Sequence, residues 1–169
     1  MARPVVKFGA PVLRASARPV DAVTPDIQAL VDEMVATMYA ERGIGLAAPQ
    51  IGVDLRIFVI DVSGGRERGA LHVCINPEWV ARDGMQLEEE GCLSLPGFSA
   101  TVARPARAVV RGLDRDGAPC TIEGTGLLAR ALQHEMDHLD GRLYIDRLRG
   151  LSRTMITGRI RKLEREGRW

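Results

Sequence analysis

The clearest chemical signal is the pentapeptide HEMDH at residues 134–138. On a helix, two histidines four positions apart present their rings to a single point, and Glu135 beside them can reach a water molecule bound there. The chain has only 3 histidines, and the remaining one, His72, lies in a strand-like segment that favours a structural role. The spacing therefore predicts half of a metal site, and the alternative is a pair of helix-surface histidines beside an acid.

A third ligand is required, because a catalytic divalent ion usually takes three protein ligands and leaves one position open for water. Two protease-like arrangements place that ligand downstream, at Tyr144 or at Glu164, but the first is not a histidine and the second lies in a basic stretch. Cys92 is the better candidate, since the glycines and the proline around it predict a tightly turned loop from which a thiolate can point into a cleft. Together with the histidine pair, Cys92 completes a Cys-His-His set.

Three helices that position these residues are predicted from apolar residues at helical spacing. The first begins at Thr24, an N-cap residue that is followed by proline, and stops near Gly43. The second carries the HEMDH pentapeptide and is ended by Gly141. The third runs over about residues 152–166.

Short runs rich in branched and aromatic residues predict strands at 55–62, 71–76, 106–113 and 120–124. The segment 114–119 has turn composition and predicts a hairpin. Neighbouring hairpins between helices favour an α+β fold, with antiparallel or mixed β-sheets packed around a central HEMDH-bearing helix and with an N-terminal and a C-terminal helix beside them. No repeat or linker divides the sequence, so residues 1–169 are predicted to form a single domain.

Composition narrows the possible partners and compartment. The formal net charge is +1, and 27% of the residues are charged. Such a balance produces no overall electrostatic attraction to DNA or to a membrane surface, so neither partner is expected. The sequence has no apolar run long enough to span a bilayer and no recognisable signal peptide. The 3 cysteines at irregular spacing argue against a disulfide framework and suit a reducing compartment. We therefore expect a cytoplasmic protein.

Three segments of the chain resemble signatures of the peptide deformylase family. They are GIGLAAPQ at residues 43–50, EGCLS at 90–94 and QHEMDHLDG at 133–141, and they occur in the family's order at fitting spacings. Each alone is weak evidence, whereas the three together are specific. The resemblance covers almost the whole chain, and it implies a metal hydrolase that removes the N-formyl group from the formylmethionine of new polypeptides and releases formate.

The resemblance also implies which residues hold the metal. Cys92, His134 and His138 would bind one divalent ion per chain, which is expected to be iron(II) in the cell. Zinc, nickel and cobalt also suit a mixed thiolate and imidazole site. The family further pairs an acid with an arginine to support the cysteine loop, here Glu90 with Arg104, and the alternative is two solvated surface charges.

Catalytic and substrate-binding roles follow from the same resemblance. Glu135 would be the general acid/base, and the Gln50 amide and the Leu93 N–H would stabilise the oxyanion. Arg130, one turn before the metal ligands, either faces the substrate or is an ordinary exposed helix arginine. The chain expected to flank the bound peptide as a neighbouring strand is Ile44, Gly45 and Leu46.

N-formylmethionyl nascent peptides are the expected partners, and the basic helix at residues 152–166 is a candidate ribosome-docking element. The alternative for that helix is a solvated face over the core.

Two other functions share parts of the pattern: an HExxH metallopeptidase that cuts internal bonds, and a non-catalytic binder with the same fold. The joint presence of Glu135, Gln50 and Cys92 speaks against the binder, which has no need of all three.

Overall fold

The computed structural model describes residues 1–169, and helices and antiparallel strands alternate irregularly along them. The helices are α1 (Pro25–Ala40), α2 (Gly126–Leu139) and α3 (Leu151–Arg165). The strands are β1 (Gly45–Ala47), β2 (Ile57–Ile60), β3 (His72–Asp83), β4 (Gln86–Gly91), β5 (Ser99–Arg104), β6 (Arg107–Leu113) and β7 (Pro119–Thr125). The predicted α+β class is confirmed. None of the helices has the length and apolar character needed to cross a bilayer.

The strands form a five-stranded sheet in the order β1-β2-β3-β6-β7 and a separate two-stranded sheet of β4 and β5. The predicted hairpin between β6 and β7 is present, and its turn is closed by Asp114, whose carboxylate accepts the N–H groups of Asp116 and Ala118 at 2.9 Å. Strand β1 pairs only with β2, so one of its edges is free. A free edge of this kind can pair with another extended chain.

Helix α2 packs against the five-stranded sheet, where Leu132, Met136 and Leu139 join Phe58 and Ile60 in one core cluster. Ten of its 14 residues are buried. A one-sided amphipathic helix would bury only the face toward the sheet. Helix α2 is therefore covered on further faces, and its polar side chains must find partners inside the protein.

Three parts of the chain differ from the sequence-based expectation. Strand β3 continues to Asp83, beyond the predicted 71–76. Helix α1 has the predicted Thr24 cap but ends at Ala40, because Arg42 adopts a left-handed φ of 56° and the N–H of Gly43 turns back to the Met38 carbonyl at 2.9 Å. The β4–β5 hairpin was missed altogether. Strand β4 reads QLEEEG, and its exposed acids conceal the alternation that predicts a strand, since only Glu90 is buried.

Candidate metal centre and active site

Three donor atoms from two distant parts of the chain meet at one point. The Cys92 Sγ lies 3.3 Å from Nε2 of His138, and the Nε2 atoms of His134 and His138 are 3.2 Å apart. Nitrogen ligands of one tetrahedral ion, each about 2.0–2.1 Å from the metal, lie roughly 3.3 Å from each other. The type and the spacing of these donors therefore fit a divalent metal ion, and the three residues form a group that could hold one.

A buried carboxylate fixes the ring of His134. Its Nδ1–H donates to Glu90 Oε1 at 2.5 Å, and Arg104 donates to both oxygens of Glu90 at 2.6 and 2.9 Å. With the proton on Nδ1, the lone pair of Nε2 is directed at the other two donors. Burial by itself would raise the pKa of Glu90, but the hydrogen bonds from His134 and Arg104 outweigh it and hold the pKa well below its usual range.

The Glu90–Arg104 pair is therefore a support inside the protein. Glu90 is 6% exposed and Arg104 is 3% exposed, so the alternative of two solvated surface charges is wrong. Arg104 also donates to Asp137 Oδ2 at 2.8 Å, which links the cysteine loop to helix α2 through two carboxylates. Charged hydrogen bonds of this length in a buried site hold their groups in one geometry.

Glu135 points into the same region but belongs to no ion pair. Its side chain is buried, and its Oε2 atom has no hydrogen-bond partner in the protein. Burial raises the pKa of Glu135 to about 7. A carboxyl group with such a pKa can both accept and return a proton at neutral pH.

Two hydrogen-bond donors lie beside the Cys-His-His cluster. The Gln50 side chain is oriented by the Ala47 N–H, which donates to its Oε1 at 3.0 Å, and its Nε2 donates to the Ser94 hydroxyl at 3.2 Å and lies 3.6 Å from the Cys92 sulfur. The N–H of Leu93 makes no hydrogen bond within the chain. The Leu93 N–H is therefore free to donate to an oxygen atom in the cleft, and the Gln50 amide can do so by giving up its long hydrogen bond to the Cys92 sulfur.

The cleft is a cavity of about 580 Å³, bordered by most of the residues that the sequence suggested. Leu46 and His138 are the exceptions. The Leu46 side chain is fully buried in the core beneath β1, and only its main chain belongs to the edge strand. His138 lies beneath the surface of the cavity and is 1% exposed. The predicted site residues that border the cavity are Ile44, Gly45, Gln50, Cys92, Leu93, His134 and Glu135.

The apolar wall of this cavity is formed by Leu127 and Ala131. An apolar pocket beside the histidine helix is expected from the sequence, but these two residues were not identified as its lining. These residues precede Glu135 at intervals of four, so helical periodicity alone places them on the same face of α2. The signal was therefore present in the sequence. It was hidden because the same residues also fit a helix face buried against the sheet.

The structure places neither alternative third ligand at the donor cluster. Tyr144 is buried with its ring stacked on His134, at a centroid distance of 6.2 Å, and its hydroxyl has no partner. Glu164 lies on α3 near Gly9, outside the cavity. Arg130 is not an exposed helix arginine, because it is buried in protein and borders the cavity.

Comparison with known proteins decides the family. The sequence model of the polypeptide deformylase family matches residues 2–154. Over its full length, the chain is 48% identical to a peptide deformylase of Acidobacterium capsulatum, 99% of which is covered. The chain belongs to the polypeptide deformylase family. A second relative, peptide deformylase 2 of Xanthomonas campestris, is 50% identical over 96% of both chains.

Solved deformylase structures have the same fold. A peptide deformylase from Legionella pneumophila superimposes with a TM-score of 0.91 at 44% identity, covering 99% of this chain and 98% of that one. The enzyme from Thermus thermophilus has a TM-score of 0.88 at 40% identity, with 96% and 95% covered. Deformylases are metalloenzymes that remove the formyl group from nascent peptides. The predicted activity is thus confirmed in preference to a metallopeptidase or a non-catalytic binder.

The close approach of β1 to the acid of the deformylase site yields a prediction for Gly45. A Cβ at this position would lie 3.2 Å from the carboxyl carbon of Glu135, which would have to shift by a few tenths of an ångström. We expect Gly45→Ala to lower the turnover number about tenfold, because small displacements of reacting groups cost that much. Gly158→Ala is the control, since nothing lies within 4 Å of its Cβ position. Equal deformylation rates for the two variants would show that the position of Glu135 tolerates such a shift.

Proposed function

We propose that this deformylase carries out its reaction in the 580 Å³ cavity and that Cys92, His134 and His138 hold one divalent ion there, iron(II) in the cell. The observation that carries the proposal is the convergence of these three donor atoms beside a buried glutamate. When bound, such an ion supplies Lewis acidity and makes a hydroxide nucleophile available from water at neutral pH. Residues 1–169 act as one catalytic domain.

The chain's own groups provide the proton transfers and the oxyanion site. Glu135 accepts the proton of the attacking water and later donates it to the departing amine, a dual role that its raised pKa favours. The Gln50 amide and the Leu93 N–H donate to the oxygen of the formyl group as negative charge develops on it. Removing one donor of this kind typically raises the barrier by about 3 to 4 kcal/mol.

Main-chain pairing orients the substrate. The free edge of β1, with Ile44, Gly45 and Leu46, offers backbone groups to an extended peptide, while Leu127 and Ala131 provide an apolar surface for the methionine side chain. Main-chain hydrogen bonds read little of the sequence after the first residue, so the enzyme accepts many nascent chains. Because nascent chains are its substrates, we place the enzyme in the cytoplasm.

Product analysis tests the activity. The purified protein is incubated with formyl-Met-Ala-Ser and with the same peptide lacking the formyl group, and formate and new amino termini are measured. Formate release from the first peptide with no cleavage of the second is the expected result. Cleavage between amino acids, with or without the formyl group, would instead identify a peptidase.

Helix α3 is the proposed contact with the ribosome. All the arginine and lysine side chains of its outer face are exposed, whereas Ile156 and Ile160 are buried beneath it. Such a helix can remain packed on the domain through its isoleucines and still present cationic groups to RNA phosphates. The exposed cationic residues of the helix and of the residues that flank it are Arg149, Arg153, Arg159, Arg161, Lys162, Arg165 and Arg168.

We predict that the triple charge reversal Arg159→Glu, Arg161→Glu and Arg165→Glu abolishes co-sedimentation with ribosomes in moderate salt while formate release from free peptides is retained. Binding of the unaltered protein should fall steeply as salt is raised. Deleting the helix after Gly150 is a poorer test, because it removes Ile156 and Ile160 from the core, each worth about 1.5 to 3 kcal/mol when buried. Unchanged co-sedimentation of the charge-reversal variant would refute docking through α3.

A further inference from the structure

Arg130 lies on α2, one turn before His134, and is only 3% exposed. Each nitrogen of its guanidinium donates one hydrogen bond: Nε to Gln86 Oε1 at 3.1 Å, Nη1 to Glu90 Oε2 at 2.7 Å and Nη2 to the Val102 carbonyl at 2.8 Å. Buried charged groups require such partners. Here the partners come from both strands of the β4–β5 hairpin, which connects the hairpin to the helix that carries the histidines.

Each oxygen of Glu90 accepts one hydrogen bond from Arg104 and one from a residue of helix α2. Oε1 accepts hydrogen bonds from Nδ1 of His134 and from Nη2 of Arg104, while Oε2 accepts from Nε of Arg104 and from Nη1 of Arg130. Arg104 approaches from β5, whereas Arg130 approaches from the same helix as His134. Arg130 therefore fixes the orientation of the carboxylate relative to the helix on which the metal ligand lies.

The orientation of Arg130 is itself determined by the hairpin. Gln86, which accepts the Arg130 Nε–H, uses its amide nitrogen to donate to the Pro105 carbonyl at 3.1 Å and to the Gly126 carbonyl at 2.9 Å. Both ends of the Gln86 amide are therefore hydrogen-bonded, and its Oε1 is held where it accepts the Arg130 Nε–H. A planar guanidinium provides these separate directions, which a lysine ammonium does not.

We propose that Arg130 is a positioning residue for the metal centre. It holds Glu90 in the orientation in which Glu90 directs Nε2 of His134 at Cys92 and His138. Outer hydrogen-bond partners of a ligating histidine typically change metal affinity by about 10- to 100-fold when removed. The inference rests on the proposed ligand role of His134, and it assigns to Arg130 an effect on metal binding beyond that of attaching a hairpin to a helix.

Cobalt(II) affinity of the metal-free full-length protein tests this role, measured by competition with a chelator well below the unfolding temperature. Arg130→Met keeps most of the side-chain volume and should bind cobalt about tenfold more weakly, the lower end of the range for such partners. Arg130→Lys keeps the positive charge but loses the planar guanidinium with its separate donors. Its cobalt affinity should lie between that of Arg130→Met and that of the unaltered protein. Arg107→Met is the control, because Arg107 also pairs with two carboxylates, Asp83 and Glu123, on the outside of the sheet.

A merely structural role predicts a different pattern, in which Arg130→Met lowers the unfolding temperature while the folded variant binds cobalt as tightly as the unaltered protein. That result would overturn the inference. If Arg130→Met does not fold, the lysine variant decides: full cobalt affinity overturns the inference and weakened affinity supports it. Failure of the unaltered protein to bind cobalt at all would overturn the proposed ligand set and this inference with it.

Discussion

Replacing Glu135 by alanine is expected to lower the turnover number at least about a hundredfold, the usual contribution of a general acid/base. Metal content should stay the same, because the carboxylate is not among the three donor atoms of the cluster. The two acids whose charges act on Glu135, Glu90 and Asp137, are paired with arginines and are therefore poor replacements as a base. Formate release and metal content are to be measured on the same sample.

Two further variants make this test specific. Glu135→Gln preserves the shape of the buried side chain but cannot accept a proton, so it should lose as much activity as the alanine variant. Glu164→Ala changes an exposed acid on α3, far from the cavity, and should have no effect on the rate. A fully metallated Glu135→Gln enzyme with near-normal turnover would remove Glu135 from the proton transfers.

Replacing Cys92 by serine should weaken metal binding by more than about a hundredfold, because a direct ligand contributes more than the outer partners of a histidine. In the cobalt-substituted protein the change has a spectroscopic signature. A thiolate ligand gives a sulfur-to-metal charge-transfer band, and the serine variant should lack it. Metal titration and absorption spectra of the same samples measure both effects.

The other two cysteines provide the matched controls. Cys74 is fully buried in the core at β3, and Cys120 lies on β7 across from Gly112, so neither borders the cavity. Cys120→Ser should therefore retain the band. An intact band in Cys92→Ser would show that sulfur from Cys74 or Cys120 binds the metal and would refute the proposed ligand set.

Oxygen sensitivity follows from the same ligand. The proposed iron(II) ion would lie beside the Cys92 thiolate and open to the cavity, where both the metal and the sulfur would be exposed to oxidation. We expect protein purified in air to lose activity and the nickel or cobalt form to remain active. Equal activity of air-purified and anaerobically purified iron protein over several days would contradict this expectation.

Sequence alone was sufficient to propose the chemical identity of the site. The four-residue spacing of His134 and His138 places two imidazoles on one helix face wherever that helix packs, because the geometry is local. Likewise, three short segments in the right order indicated the family, and the Thr24-Pro25 start located the first helix. These inferences needed no long-range contacts, which is why they could be made from the residues themselves.

The tertiary structure decided how those residues are supported. Strand β4 cannot be predicted from an alternating pattern, because polar residues occupy almost every position in it. Nevertheless one of its acids, Glu90, is buried between Arg104, Arg130 and His134. Whether a charged residue is solvated or paired depends on what packs over it, and its partners here lie 14, 40 and 44 residues away along the chain. Sequence periodicity carries no information about contacts at such separations, so only the folded chain could reveal that Arg130 lies against the support of the metal centre.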